Sequence, residues 1–218
     1  TENISHTMPE SITQQFKSLL EENLSIDLTR GKPSSSQLDL SNELLSIPLE
    51  PLTEDGVDIR NYGEPLGIHQ ARELGAELLD SPITHTIAAE QSSLLLSYQL
   101  LLASHLFGIN GRPWKDIENP KFICPTPGFD RHFNMLDELG IEMLSVPLVG
   151  NGLDLEILKT TLAEHEDIIG LISVPRHSNP SGDIYSDKNI LKIFELCSEY
   201  SKDLIFLFDH AYLIHDLT

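Results

Sequence analysis

Basic residues are scarce in this sequence. Lys and Arg together number 14 against 34 Asp and Glu, for a formal net charge of −20. A chain this acidic is repelled by nucleic acid and by anionic membrane surfaces, so neither is an expected partner. The acids are dispersed rather than blocked, which reads as a well-solvated surface. Cysteine is nearly missing: Cys124 and Cys197 are the only two, each in an apolar context. They read as reduced core residues of a cytoplasmic protein rather than a disulfide or a metal pair. No apolar run approaches a membrane span, and the first residues carry no secretory pattern. Internal repeats and low-complexity tracts are absent as well. What remains is ordinary for a globular protein: 40% hydrophobic and 22% charged over 218 residues, enough for a real core in one or two domains.

The most informative stretch is the last third. Two apolar runs, 168–174 and 204–208, each end in a short polar turn. The first turn is Ser178-Asn179-Pro180-Ser181-Gly182 and the second Asp209-His210-Ala211-Tyr212. Such runs predict buried strands of a parallel sheet. Between them Ser186 precedes a helical pattern that sets Ile190, Leu191, Phe194 and Cys197 on one side. The unit is βαβ, so both turns fall at the carboxyl ends of the strands, where ligands of open α/β sheets bind.

The rest of the chain repeats this alternation. Thr7-Met8-Pro9-Glu10 has capping-box spacing ahead of an apolar stripe at Ile12, Phe16, Leu19 and Leu20. Residues 28–36, with Gly31, Pro33 and three serines, read either as a linker or as a loop returning to a site. Residues 47–58 read as an exposed connection. A helix is predicted over 66–79 and a short strand over 84–89. A further helix, apolar on nearly every side and therefore expected to be buried, runs from Glu90 to Phe107. Ser92 and Ser93 at its amino end are either simple caps or a phosphate seat. Residues 108–120 form a polar loop, which places the only tryptophan, Trp114, on the surface. Strands follow at 121–124 and 142–146, with helices around Phe133, Leu136 and Leu139 and around Leu155, Leu158 and Leu162. Strands alternating with helices predict a three-layer α/β/α fold on a mostly parallel sheet. His177, His210 and Asp209 lack the spacing of a metal site.

The rim thus gathers a helix start, an aromatic (Phe129), an Asn, an Asp and a Tyr. A phosphate, a flat ring, a protonated ring nitrogen and a ring oxygenate would use all of these, and pyridoxal 5′-phosphate has each feature. The two turns resemble the N-P-[TS]-G and D-x-A-Y turns of fold-type I pyridoxal-phosphate enzymes, the aspartate aminotransferase superfamily. Residues 28–42, Asn61-Tyr62-Gly63, Ser92-Ser93-Leu94, residues 125–133 and His215-Asp216-Leu217-Thr218 resemble its bacterial type Ic subgroup. The resemblance implies the large domain of such an enzyme over 61–218, incomplete, preceded by a helix and arm over 1–60. It implies that Asp209 pairs with the pyridine nitrogen, that Asn179 and Tyr212 bond the ring oxygen, and that Phe129 stacks where the subgroup usually has Tyr. It also implies that Ser92 and Ser93 seat the phosphate and that Gly31 lies near the substrate. Tyr62 would reach the neighbouring subunit's phosphate, which makes a homodimer. The subgroup has glycines just before the serines, where this sequence has Ala89 and Glu90.

The family also needs a Schiff-base lysine some tens of residues past the D-x-A-Y turn. No lysine follows Asp209 in this sequence. Lys202 precedes the 204–208 strand, roughly 20 Å from the rim by strand rise. The expectation is therefore an N-terminal fragment of an aminotransferase, moving an amino group from an amino acid to a 2-oxo acid only when completed and inactive alone. The alternatives are a fold-type I lyase and a non-catalytic remnant that binds cofactor or dimerises.

Overall fold

A computed structural model describes residues 10–26, 31–109 and 111–215. The chain divides into two compact units, Thr1–Asn61 and Tyr62–Thr218.

The first unit is helical. Helix α1 (Glu10–Glu21) carries the stripe of Ile12, Phe16, Leu19 and Leu20, and all four are exposed. Its capping sequence falls mostly outside the described residues. Helix α2 (Ser35–Leu38) begins with a complete capping box: Ser34 accepts from the Gln37 N–H, and the Gln37 side chain accepts from the Ser34 N–H. A 3-10 helix, Asp39–Ser46, continues from it. Residues 47–58 turn back through an isolated antiparallel bridge between Leu52 and Asp58.

The second unit is the α/β layer structure. Helix α3 (His69–Leu79) is followed by α4 (Ser93–Phe107) and then by strand β1 (Lys121–Thr126). Helix α5 (Asp130–Glu138), β2 (Glu142–Pro147), α6 (Leu155–Glu164), β3 (Ile168–Ser173), α7 (Asp187–Tyr200) and β4 (Ile205–Phe208) complete it. The four strands are parallel in the order β2-β1-β3-β4. Alternation along β1 splits the core in two. Ile123 faces a cluster with Leu158 and Leu162 of α6 and Ile193 and Cys197 of α7. Phe122 and Cys124 face the other cluster, with Leu101 of α4 and Leu136 of α5. Helices therefore cover both faces of the sheet, as three layers require. Gly170 on β3 makes room for this packing, since a Cβ there would lie 2.1 Å from the Phe122 ring.

Three expectations are corrected. Trp114 is buried, 6% exposed, with its ring edge-on to Phe122 at 5.8 Å between centroids. A short 3-10 turn, Trp114–Asp116, folds the polar loop inward and inserts the indole between α4 and the sheet. Residues 84–89 form no strand. The chain makes a 3-10 turn at Ile83–His85, and Arg72 of α3 donates to the Ile83 and Thr86 carbonyls at 2.7 and 2.9 Å. Those carbonyls are satisfied by a guanidinium instead of a neighbouring strand. Helix α4 is not buried on all sides. Only Ser97, Leu101 and Ser104 are buried, one face at helical spacing, and Leu95, Leu96, Leu100 and Phe107 are exposed. No helix among the described residues is long and apolar enough to cross a membrane. The same residues hold no group of three or more potential metal ligands.

Candidate active site

Adjacent parallel strands β1, β3 and β4 bring three loops to one edge of the sheet. Phe129 follows β1 and leads into α5. Asn179 follows β3, and Asp209 follows β4 directly, where its N–H donates to the Ser173 carbonyl at 2.9 Å and extends the ladder by one bond.

Asp209 is the centre of the arrangement. Its side chain is 9% exposed. The Nε2–H of His132 donates to its Oδ2 at 3.2 Å, and the Ala211 N–H donates to its Oδ1 at 3.1 Å. The hydrogen bond from His132 holds the carboxyl below its ordinary range, against burial, with the charges of His132 and His210 and the Ala211 N–H adding to the effect. Asp209 is thus an ionised carboxylate in a largely desolvated place. A carboxylate offers about four lone-pair sites. Two of them are filled from the protein, so acceptor capacity remains for a cationic N–H.

His132 lies on α5, 3% exposed. The Phe129 ring stands edge-on to it, with centroids 5.1 Å apart and planes at 86°. Phe129, His132 and Asp209 therefore form a continuous contact chain across β1, β3 and β4. The sequence reading missed His132. Its signal is a titratable residue four positions before Leu136, on the buried stripe of α5.

Asn179 is half-buried, and its side chain forms no hydrogen bond among the described residues. Its turn and that of Tyr212 are joined, because His177 Nε2–H donates to the His215 carbonyl at 2.9 Å. The Tyr212 ring lies 6.4 Å from that of His215. His210 is buried enough that desolvation lowers its pKa, with the Asp209 charge opposing. Its Nδ1 is buried without a hydrogen-bond partner among the described residues.

The other expected residues stand outside this bonded group. Ser92 caps α4 and accepts from the Leu95 N–H at 3.3 Å, while Ser93, the first residue of the helix, is exposed. Just before them Glu90 takes a left-handed conformation, φ 53°. Tyr62 is 98% exposed. Gly31 belongs to the first unit, with nothing within 4 Å of where a Cβ would stand. Lys202 is exposed in the turn before β4, at the opposite end of that strand from Asp209.

Residues 2–218 match the family model described as aspartate amino-transferase. The chain belongs to the aspartate aminotransferase family. An aspartate aminotransferase of Corynebacterium glutamicum is 38% identical over 213 residues, which cover 96% of this chain and 49% of the relative. A Corynebacterium diphtheriae structure superposes with TM-score 0.88 at 40% identity, over 96% of this chain and 52% of that one. An aspartate transaminase structure from Corynebacterium glutamicum gives TM-score 0.83 at 37% identity, over 96% and 50%. The chain thus spans about half the length of the curated relatives it matches. The parallel sheet clothed on both faces is the family's large-domain fold, as the sequence predicted.

Proposed function

We propose that this chain is the amino-terminal part of a pyridoxal-phosphate-dependent aminotransferase that moves an amino group from an amino acid to a 2-oxo acid in the cytoplasm. The observation that carries the reading is Asp209: a nearly buried carboxylate kept ionised by His132, with acceptor sites to spare, at the carboxyl end of a parallel strand. That donor set fits a protonated pyridine nitrogen. Pyridoxal 5′-phosphate, when bound, supplies the electron sink for breaking a bond at the amino acid's α-carbon.

The chain's own residues then have distinct tasks. Asp209 holds the proton on the ring nitrogen by giving it a charged acceptor. His132 keeps Asp209 ionised and orients it. Asn179 and Tyr212 donate to the ring oxygen, and the uncommitted side chain of Asn179 suits that task. Phe129 covers one ring face; with Phe in place of Tyr the face is kept and a hydroxyl is lost. The start of α4 receives the phosphate through free N–H groups, the helix dipole and the hydroxyls of Ser92 and Ser93. Two chains pair, and Tyr62 of each serves the phosphate site of the other. The lysine that takes the α-proton comes from sequence beyond these 218 residues.

The test is an absorbance spectrum of the 218-residue chain with pyridoxal phosphate, before and after borohydride, with intact mass. Reversible binding without a fixed adduct is expected here, and a fixed adduct on one lysine together with transamination is expected in the whole protein. A single stoichiometric adduct on the 218-residue chain would overturn the placing of the lysine. Failure of the whole protein to bind the cofactor would overturn the function.

A further inference from the structure

Asn179 and Asp209 must face one small ligand from two different loops. The second loop is short: Asp209 is the first residue after β4 and is tied to β3 through the Ser173 carbonyl. The first is long, since Asn179 stands six residues past the end of β3. Some device has to fix this longer turn relative to the strand end.

Ser173 is where both loops attach. Its carbonyl accepts the Asp209 N–H at 2.9 Å. Its hydroxyl donates to the Tyr185 hydroxyl at 2.8 Å. Both side chains are buried, Ser173 at 2% and Tyr185 at 5% exposure. The contact spans twelve residues and closes the whole turn that displays Asn179 into a loop. Inside it, the Tyr185 N–H donates to the Pro175 carbonyl at 2.9 Å and the Ser178 N–H to the Asp183 carbonyl at 2.9 Å. The Gly182 N–H donates to the Ser178 carbonyl at 2.6 Å. The Asp183 carboxylate accepts the Gly150 N–H at 3.0 Å and braces the loop from outside. The Tyr185 ring packs in the cluster beneath α6 and α7. The turn is thereby nailed to the core at Tyr185 and to the sheet at Ser173.

We propose that the Ser173–Tyr185 hydroxyl pair is a positioning device that sets the Asn179 turn against Asp209. The proposal rests on the reading of the site given above. Burial pushes the Tyr185 hydroxyl up to about 12, so it stays protonated at every working pH. A buried hydroxyl that loses its partner is costly, whereas removing both partners is nearly neutral. That asymmetry separates positioning from bulk stability.

The experiment uses the whole protein and compares Tyr185→Phe, Ser173→Ala, the double variant and Asn179→Ala. Amide hydrogen exchange is read at Ser178 and Gly182, with Phe122 and Ile123 of β1 as controls. The pH midpoint of the bound cofactor's visible absorbance is read in parallel. In Tyr185→Phe, protection at Ser178 and Gly182 falls about tenfold with β1 unchanged, and the midpoint moves in the direction it moves in Asn179→Ala. The double variant keeps the loop and midpoint changes, again with β1 unchanged. Unchanged protection at Ser178 and Gly182, or a uniform loss that includes β1, overturns the proposal. So does a midpoint that moves in Asn179→Ala and stays put in both single hydroxyl variants. If Asn179→Ala itself leaves the midpoint in place, the role given to Asn179 fails. A local loss of protection in Ser173→Ala then still decides for or against the anchor.

Discussion

Replacing His132 by Leu removes the side-chain donor to Asp209 while keeping an apolar group on the buried face of α5. In the native protein the Asp209 carboxyl is held below its ordinary value, chiefly by that hydrogen bond. A group with a depressed folded pKa contributes stability above its unfolded pKa, near 3.8, and loses it as pH falls through the folded value. In the Leu variant the same carboxylate, 9% exposed, faces burial with only the Ala211 N–H on its own turn and the charge of His210. Desolvation then dominates and raises the pKa above the unfolded value. The sign of the pH dependence reverses: stability is penalised at neutral pH and regained as the carboxyl protonates in mild acid. A hydrogen bond to a charged group contributes about 1.5–3 kcal/mol, and breaking a buried pair by removing one partner costs about 3–5 kcal/mol. Urea denaturation of wild type and His132→Leu from pH 4 to 8 measures both the size and the slope. Adding Asp209→Asn to the Leu variant relieves most of the penalty, because an amide needs no counter-donor to stay neutral. A Leu variant within about 0.5 kcal/mol of wild type at pH 7, with an unchanged slope, would refute the coupling.

Other consequences can be checked on the same material. Glu90→Gly places the residue suited to a positive φ at 53°; the chain gains about 1 kcal/mol and a higher Tm in thermal unfolding. His210→Phe removes a histidine whose pKa burial lowers from 6.5. Wild type binds that proton more readily when unfolded and so loses stability as pH falls through 6.5, and the variant loses this part of the slope in the urea series. Trp114, the only tryptophan, emits at short wavelength and resists acrylamide quenching, and Trp114→Ala costs about 3–5 kcal/mol in urea denaturation. The thiols of Cys124 and Cys197 are buried and pushed up to about 12, so neither reacts with a thiol reagent at pH 8 until urea unfolds the chain.

The β3–α7–β4 unit and the location of the rim were legible because the apolar runs of β3 and β4 end abruptly in turn residues. The period of those runs carries both the strand and its parallel neighbour. Trp114 was not legible. Its near neighbours in sequence are polar, and its burial depends on Phe122 and on Leu101 from another helix. Residues 84–89 had strand composition but no strand to pair with, and Arg72 took the Thr86 carbonyl. Helix α4 was apolar enough to be called a core helix, yet only the face bearing Leu101 meets the sheet. The pairing of His132 was not legible for a different reason. Its partner lies 77 residues away, so the bond exists only once β1, β3 and β4 stand side by side.

Each of Phe129, Asn179 and Asp209 hangs from its own strand end. Exchanging Phe129 or Asn179 leaves the buried His132–Asp209 pair in place, whereas exchanging Asp209 takes the partner of a buried histidine away. Variants at Phe129 and Asn179 should combine almost independently, since no described contact joins them. Changes at Asp209 should not combine independently with those at Phe129, because His132 bonds the Asp209 carboxylate and packs against the Phe129 ring. In a combinatorial library built on the three positions, epistasis should concentrate at Asp209, and a search for altered specificity has most freedom at the other two.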